Sequence, residues 1–149
     1  MKDFSTAVEN LLLKAGWYKG RKIDVDLFRQ SLKEDGFTLI PIVEEFLREF
    51  GWLRIFFDKL SGQKDSFHFD AQKATEGVHP GWAQKKYADR LNNKTLCIIG
   101  EGYSDHLTLM MDINGKVYGG YDDILIFIAE NGRDAIEAIC ADKKFEHIP

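Results

Sequence analysis

With 149 residues, 44% of them hydrophobic and 30% charged, the chain is long enough to bury a core without disulfides or a structural metal, and a single domain spanning 1–149 is expected. A net charge of −4 with an acid-rich second half excludes the basic footprint of a nucleic-acid binder. The longest apolar run, Ile124 to Ala129, is far too short to span a membrane. The N-terminus lacks a basic segment followed by an apolar core, so no signal peptide is expected and a cytoplasmic location is.

In chain order, Phe4, Ala7, Val8, Leu11, Leu12 and Ala15 recur at the spacing of one helical face. Gly16 follows in the position that favours a left-handed stop, and Trp17, in the connection after it, is predicted to be buried. Asp24 can cap a second helix, with Ile23 and Phe28 spaced as a hydrophobic staple and Gly36 closing it. Pro41 suits the first turn of a third helix whose buried stripe is Val43, Phe46, Leu47 and Phe50, stopped by Gly51. The pattern then changes. Leu53 to Asp58 has strand composition, Ser61 to Asp65 reads as a turn, and Ser66 to Asp70 alternates apolar and polar residues as a partner strand. His79-Pro80-Gly81 marks a break before a helical face of Trp82, Ala83, Tyr87 and Leu91.

From Leu96 to Tyr121, three short apolar or alternating runs are separated by turn residues, the pattern of an antiparallel meander. Asn114-Gly115 predicts a tight hairpin turn, since both residue types tolerate positive φ. Ile124 to Ala129 reads as a strand or extended segment, and Asn131 as the cap of a last helix carrying Ala135, Ile136, Ala138 and Ile139. Helices segregated from an antiparallel sheet of about five to six strands place the fold in the α+β class.

Chemical motifs are sparse. Ser104-Asp105-His106 has the letters of a hydrolytic triad, but three adjacent residues on an extended chain do not converge. Gly100-Glu101-Gly102 and Gly119-Gly120 lack the spacing and lysine of a phosphate loop. Asp112-Ile-Asn-Gly opens like a calcium loop without the later ligands. His68, His79, His106 and His147 never pair at metal-ligand spacing, and Cys97 and Cys140 belong to no CxxC pattern and read as reduced thiols. No catalytic residue, metal or organic cofactor is expected.

Ala15-Gly-Trp-Tyr-Lys-Gly-Arg with Asp24 after it, Gly36-Phe37, Phe46-Leu-Arg-Glu-Phe-Gly-Trp-Leu, Ile99-Gly-Glu and Met111-Asp-Ile-Asn-Gly-Lys-Val-Tyr follow one another in an order that resembles the SUKH immunity proteins, in particular their third group. The chain departs from that pattern at Trp52, Ile98 and Ala71. The resemblance implies an α+β domain that binds and neutralises a cognate toxin domain of a bacterial polymorphic or contact-dependent system, with no catalytic residues. Toxins that act on nucleic acid are often basic, and an acidic inhibitor is steered to them quickly. The alternatives are an intracellular interaction module of the same fold, or a small enzyme with a site built from His68, His79 and Glu101. Between Glu101 and Asp134, seven acids face only Lys116 and Arg133. From these, the residues expected to meet a partner are Glu101, Tyr103, Asp105, Tyr121, Asp122 and Asp123, acids and hot-spot tyrosines at strand ends.

Overall fold

The computed structural model describes residues 3–76, 82–92 and 94–149, without the side chains of 82–84. The break at His79-Pro80-Gly81 and the side chains of Trp82 and Ala83 lie outside the described residues.

The first three helices follow the sequence periodicity: α1 (Thr6–Ala15), α2 (Asp26–Glu34) and α3 (Pro41–Phe50). Ser5 caps α1 by accepting the Val8 amide, and Gly16 ends it at φ 106°. Trp17 is 6% exposed, as predicted. Asp24, the expected cap, sits one residue before the observed N-cap. Val25 is the N-cap of α2, while the Asp24 carboxylate accepts the Asp26 amide at 2.8 Å. Gly51 closes α3 with an ordinary φ of −55°. It is required for space, since a Cβ there would lie 2.5 Å from the Leu47 carbonyl oxygen. The left-handed residue is Trp52, at φ 69°, whose ring stacks on Phe28 at 4.2 Å.

Seven strands form one antiparallel sheet in chain order: β1 (Arg54–Asp58), β2 (Lys64–His68), β3 (Leu96–Gly102), β4 (Leu107–Asp112), β5 (Val117–Tyr121), β6 (Ile124–Ala129) and β7 (Glu146–His147). The expected count of five to six falls short because β7 is two polar residues with no alternation to read. Short α4 (Ala71–Glu76), capped by Asp70 at the Lys73 amide, also escaped the sequence reading. A π-helical turn (Trp82–Tyr87) runs into α5 (Ala88–Arg90), and Asn131 caps α6 (Gly132–Cys140) as expected.

The Asn114-Gly115 hairpin is a different turn from the tight one expected. The Gly115 amide donates to the Asp112 carbonyl and Lys116 accepts from the Asp112 amide, so only Gly115, at φ 87°, is left-handed. The Asp112 carboxylate is fully buried. It accepts the amides of Asn114 and Lys116 and the Tyr118 hydroxyl, with Lys94 Nζ at 3.7 Å, which assigns the acid to the turn rather than to a calcium ion.

One face of the sheet carries Ile55, Phe67, Phe69, Leu109 and Met111 under α1, α3 and α6, with Phe46 of α3 edge-on to Phe69 at 4.9 Å. On the opposite face, Tyr87 packs against Gly120 and Met110, where any Cβ at Gly120 would meet the ring at 2.7 Å. Cys97 is buried and Cys140 partly so. Both are free, and burial pushes each thiol up to about 12.

Candidate partner-binding surface

Register places Arg54, His68, Glu101, Thr108, Gly120 and Leu125 opposite one another across six strands, a single transverse row on the face opposite α1, α3 and α6. His68↔Glu101 is the only backbone pair between β2 and β3. Their side chains bond there as well, with His68 Nε2 2.9 Å from Glu101 Oε1. The Asp70 amide donates to His68 Nδ1 at 2.9 Å, so that nitrogen keeps its lone pair and Nε2 carries the proton given to Glu101. Gly100 allows this approach, since a Cβ there would lie 1.9 Å from the His68 carbonyl oxygen.

Next to this pair, the β3–β4 turn is left-handed over three consecutive non-glycine residues: Tyr103 (φ 50°), Ser104 (φ 57°) and Asp105 (φ 68°). Each such residue costs about 1 kcal/mol or more, less for Asp, so the turn depends on its surroundings. Its anchors come from β1, β2, α4 and the β1–β2 connection. Arg54 donates to both Asp105 oxygens at 3.2 Å and to Ser66 Oγ at 3.0 Å. Lys73 reaches Asp105 at 2.7 Å. The Ser104 amide donates to the Ser66 carbonyl, and its hydroxyl to Asp65, which Lys59 also pairs. Burial pushes the Asp105 carboxyl up, but the hydrogen bonds from Lys73 and Arg54 and the Arg54 charge outweigh it and hold the group at about 2. Burial likewise raises Asp65, and the Ser66 amide, Ser104 and Lys59 bring it below its ordinary value.

His68, Glu101 and Asp105 bring their ligand atoms within 4.8 Å of one another, the spacing a cation would need. The hydrogen bonds argue otherwise. A metal on Nε2 requires the proton on Nδ1, where the Asp70 amide already donates, and Asp105 is engaged by two cations. The cluster is an ion-pair network. Nor is Ser104-Asp105-His106 a triad. Ser104 turns to Asp65, Asp105 to Arg54, and His106 Nδ1 to the Tyr103 carbonyl.

The other side of the same turn faces a shallow depression of ≈ 470 Å³ beyond the C-terminal end of α6, lined by Tyr103, Leu107, Tyr121, Ile124, Ile126 and Phe145. Leu107 lies across Gly119, where a Cβ would clash with it at 2.6 Å. Tyr121 is 50% and Ile124 38% exposed. Tyr103 packs its ring against Phe57, with Lys59 Nζ 5.9 Å from its centroid. Burial, then the charges of Asp142 and Asp65, raise its phenol. Asp142 and Lys143 border the depression, and Asp142 holds the Leu60 amide of the β1–β2 tip, leaving the Leu60 side chain 84% exposed. Asp122 and Asp123 form the exposed β5–β6 turn between Tyr121 and Ile124.

The six residues expected at a partner surface therefore separate. Tyr103, Tyr121, Asp122 and Asp123 gather at the depression. Glu101, 8% exposed, points to the opposite face and is occupied by His68, a partner 33 positions away that no local pattern announces. Asp105 is spent on Arg54 and Lys73. The reading from sequence missed Leu107, Ile124 and Phe145, two counted as strand and one in a tail with no periodicity.

Compared with known families, residues 4–142 match the model of the SUKH-3 immunity protein. The chain belongs to that family. No curated protein and no solved structure gave a match. In this SUKH-3 chain, the segments that carry the family likeness are internal fastenings. Trp17 donates its indole N–H to Glu49 at 3.0 Å, and Arg21 caps α3 at the Glu49 and Gly51 carbonyls. Glu101 of Ile99-Gly-Glu joins β2 to β3, and Asp112 organises the following hairpin. The SUKH-3 depression draws chiefly on other positions.

Proposed function

We propose that the chain is an immunity protein that binds a cognate bacterial toxin domain and neutralises it by occupying its working surface, with no catalysis of its own. The observation that carries this reading is the SUKH-3 match over residues 4–142. The depression supports a location. It combines half-exposed Tyr121 and Ile124 with a polar border of Asp142, Lys143, His106 and His147, and the exposed Asp122–Asp123 turn lies between the two apolar side chains in sequence, the apolar centre and polar rim of a protein interface. Its partner is a toxin face that presents an apolar anchor to the depression and basic side chains to the adjoining Asp122–Asp123 turn. Among the described residues no helix is long and apolar enough to cross a membrane.

The test uses a cognate toxin domain, silenced by mutation of its own active site. The pair should co-purify. Reversing both Asp122 and Asp123 to Lys should slow association by about tenfold or more at low salt and flatten its salt dependence. Unchanged association would place the interface elsewhere, with the α1–β1 side, where Leu13, Trp52 and Phe56 are exposed, next in line.

A further inference from the structure

The depression is framed by three stretches of irregular backbone: the β3–β4 turn at 103–105, the β5–β6 turn at 122–123 and the C-terminal tail. Local hydrogen bonds at His106 and the β6–β7 pairing hold them only in part. Tyr103, Ser104, Asp105 and Asp122 all take left-handed φ without being glycine. Each stretch is also gripped by a side chain arriving from outside the depression. Arg54 of β1 forks onto Asp105 and Ser66. Arg90 of α5 donates to the Asp123 carbonyl at 2.6 Å, to the Pro149 carbonyl at 3.2 Å and to the Ile148 carbonyl. Tyr87 adds its hydroxyl to the Asp122 carbonyl at 2.6 Å. Neither arginine lines the depression.

We infer that Arg54 and Arg90 are positioning residues of the partner surface: they touch no partner, and they set Tyr103, Tyr121 and the tail in the geometry a partner meets. The inference rests on the reading of the depression as the toxin-binding surface. Physically, an interface built on strained turns is pre-ordered only while the strain is held. When the hold goes, the turns relax to other conformers, and binding must reorder them. Guanidinium suits the task because its planar fork bonds two or three acceptors at fixed angles, which a lysine ammonium does not.

The experiment is a pair of double-mutant cycles with the silenced toxin domain as ligand: Arg54→Met with Tyr103→Ala, and Arg90→Met with Tyr121→Ala. Thermal melts and amide hydrogen exchange are recorded on every variant. Each arginine variant should lose about ten- to a hundredfold in affinity, the equivalent of releasing one to three strained residues. Exchange should quicken at 103–106 in Arg54→Met and at 121–124 in Arg90→Met, with the rest of the sheet unchanged. The two losses in each cycle should not add: once the tyrosine is gone, removing its arginine costs little more. Tyr121 is half exposed, so the Arg90 cycle stays informative if Tyr103→Ala folds poorly. Wild-type affinity in both arginine variants while Tyr121→Ala binds weakly overturns the inference and leaves the surface standing. Additive losses, the mark of a general structural role, overturn it too. Wild-type affinity in Tyr121→Ala overturns the surface reading itself.

Discussion

Trp17 shows how much one side chain can join. Its ring meets Phe4 edge-on at 5.8 Å, and its indole N–H reaches Glu49, which also receives Arg133 at 2.7 Å. Trp17→Ala should cost about 3–5 kcal/mol in a urea melt, mostly through the cavity it leaves. Its burial is expected of an aromatic directly after a helix stop, although Trp52, in the same position after α3, is 41% exposed. Glu101 was not legible, since a strand-end acid looks the same in sequence whether it faces water or His68. Asp105 gives a pH signature. Its carboxyl is held at about 2, below an unfolded value of about 4. A depressed carboxylate stabilises the fold above the unfolded value, and that contribution disappears as pH falls through the folded one. The gap in urea midpoint between wild type and Asp105→Asn should therefore be constant from pH 7 to about pH 5. It should close between about pH 4 and pH 2.

Among the elements, the hairpin after β4 separates what composition determines from what tertiary context adds. The position of the turn followed from Asn-Gly, but its type was decided by Asp112, whose carboxylate collects two turn amides and a tyrosine hydroxyl in a fully buried site. Asp112→Ala should leave those donors unpaired and cost about 3 kcal/mol or more, read from the melting midpoint. Gly115→Ala should cost at least about 1 kcal/mol, because the residue is left-handed and its Cβ would fall 2.7 Å from Ile42 Cδ1. The amphipathic helices could be read from their period, since a buried stripe repeats several times within each. Helix α4 and strand β7 offer six and two residues, fewer than a period can show, and they are fixed by what they dock onto.

Across the whole molecule, the family-like stretches and the proposed partner surface draw mostly on different residues. The stretches that resemble the family tie helices to strands and strands to one another from within. The depression is assembled from the ends of β3 to β7 and draws on side chains that no motif marks. Its tyrosines and the Asp122–Asp123 turn were accessible to a sequence reading as polar and aromatic strand ends. Its apolar floor was hidden among ordinary strand residues. Substitutions at its exposed members should change affinity while leaving the fold alone. Tyr121→Ala should melt within a few degrees of wild type yet bind the silenced toxin domain about tenfold or more weakly.

The single backbone bridge between β2 and β3 has a kinetic consequence. Every other strand of β1 to β6 finds its neighbour across a short turn, so two groups of local contacts form early: the β1–β2 hairpin and the β3–β6 meander. Joining them closes a much longer loop, from 69 to 95, and the seam they share is His68 opposite Glu101. Native-state hydrogen exchange should show this as two cooperative units, with amides of β1 and β2 opening at lower free energy than those of β4 and β5. The floor of the depression should then fall in the more protected unit, and Arg54 in the less protected one. On that prediction, a brief opening of the seam should slacken the Tyr103 turn while the floor stays in place, and its rate should limit how long the proposed surface stays set for a partner.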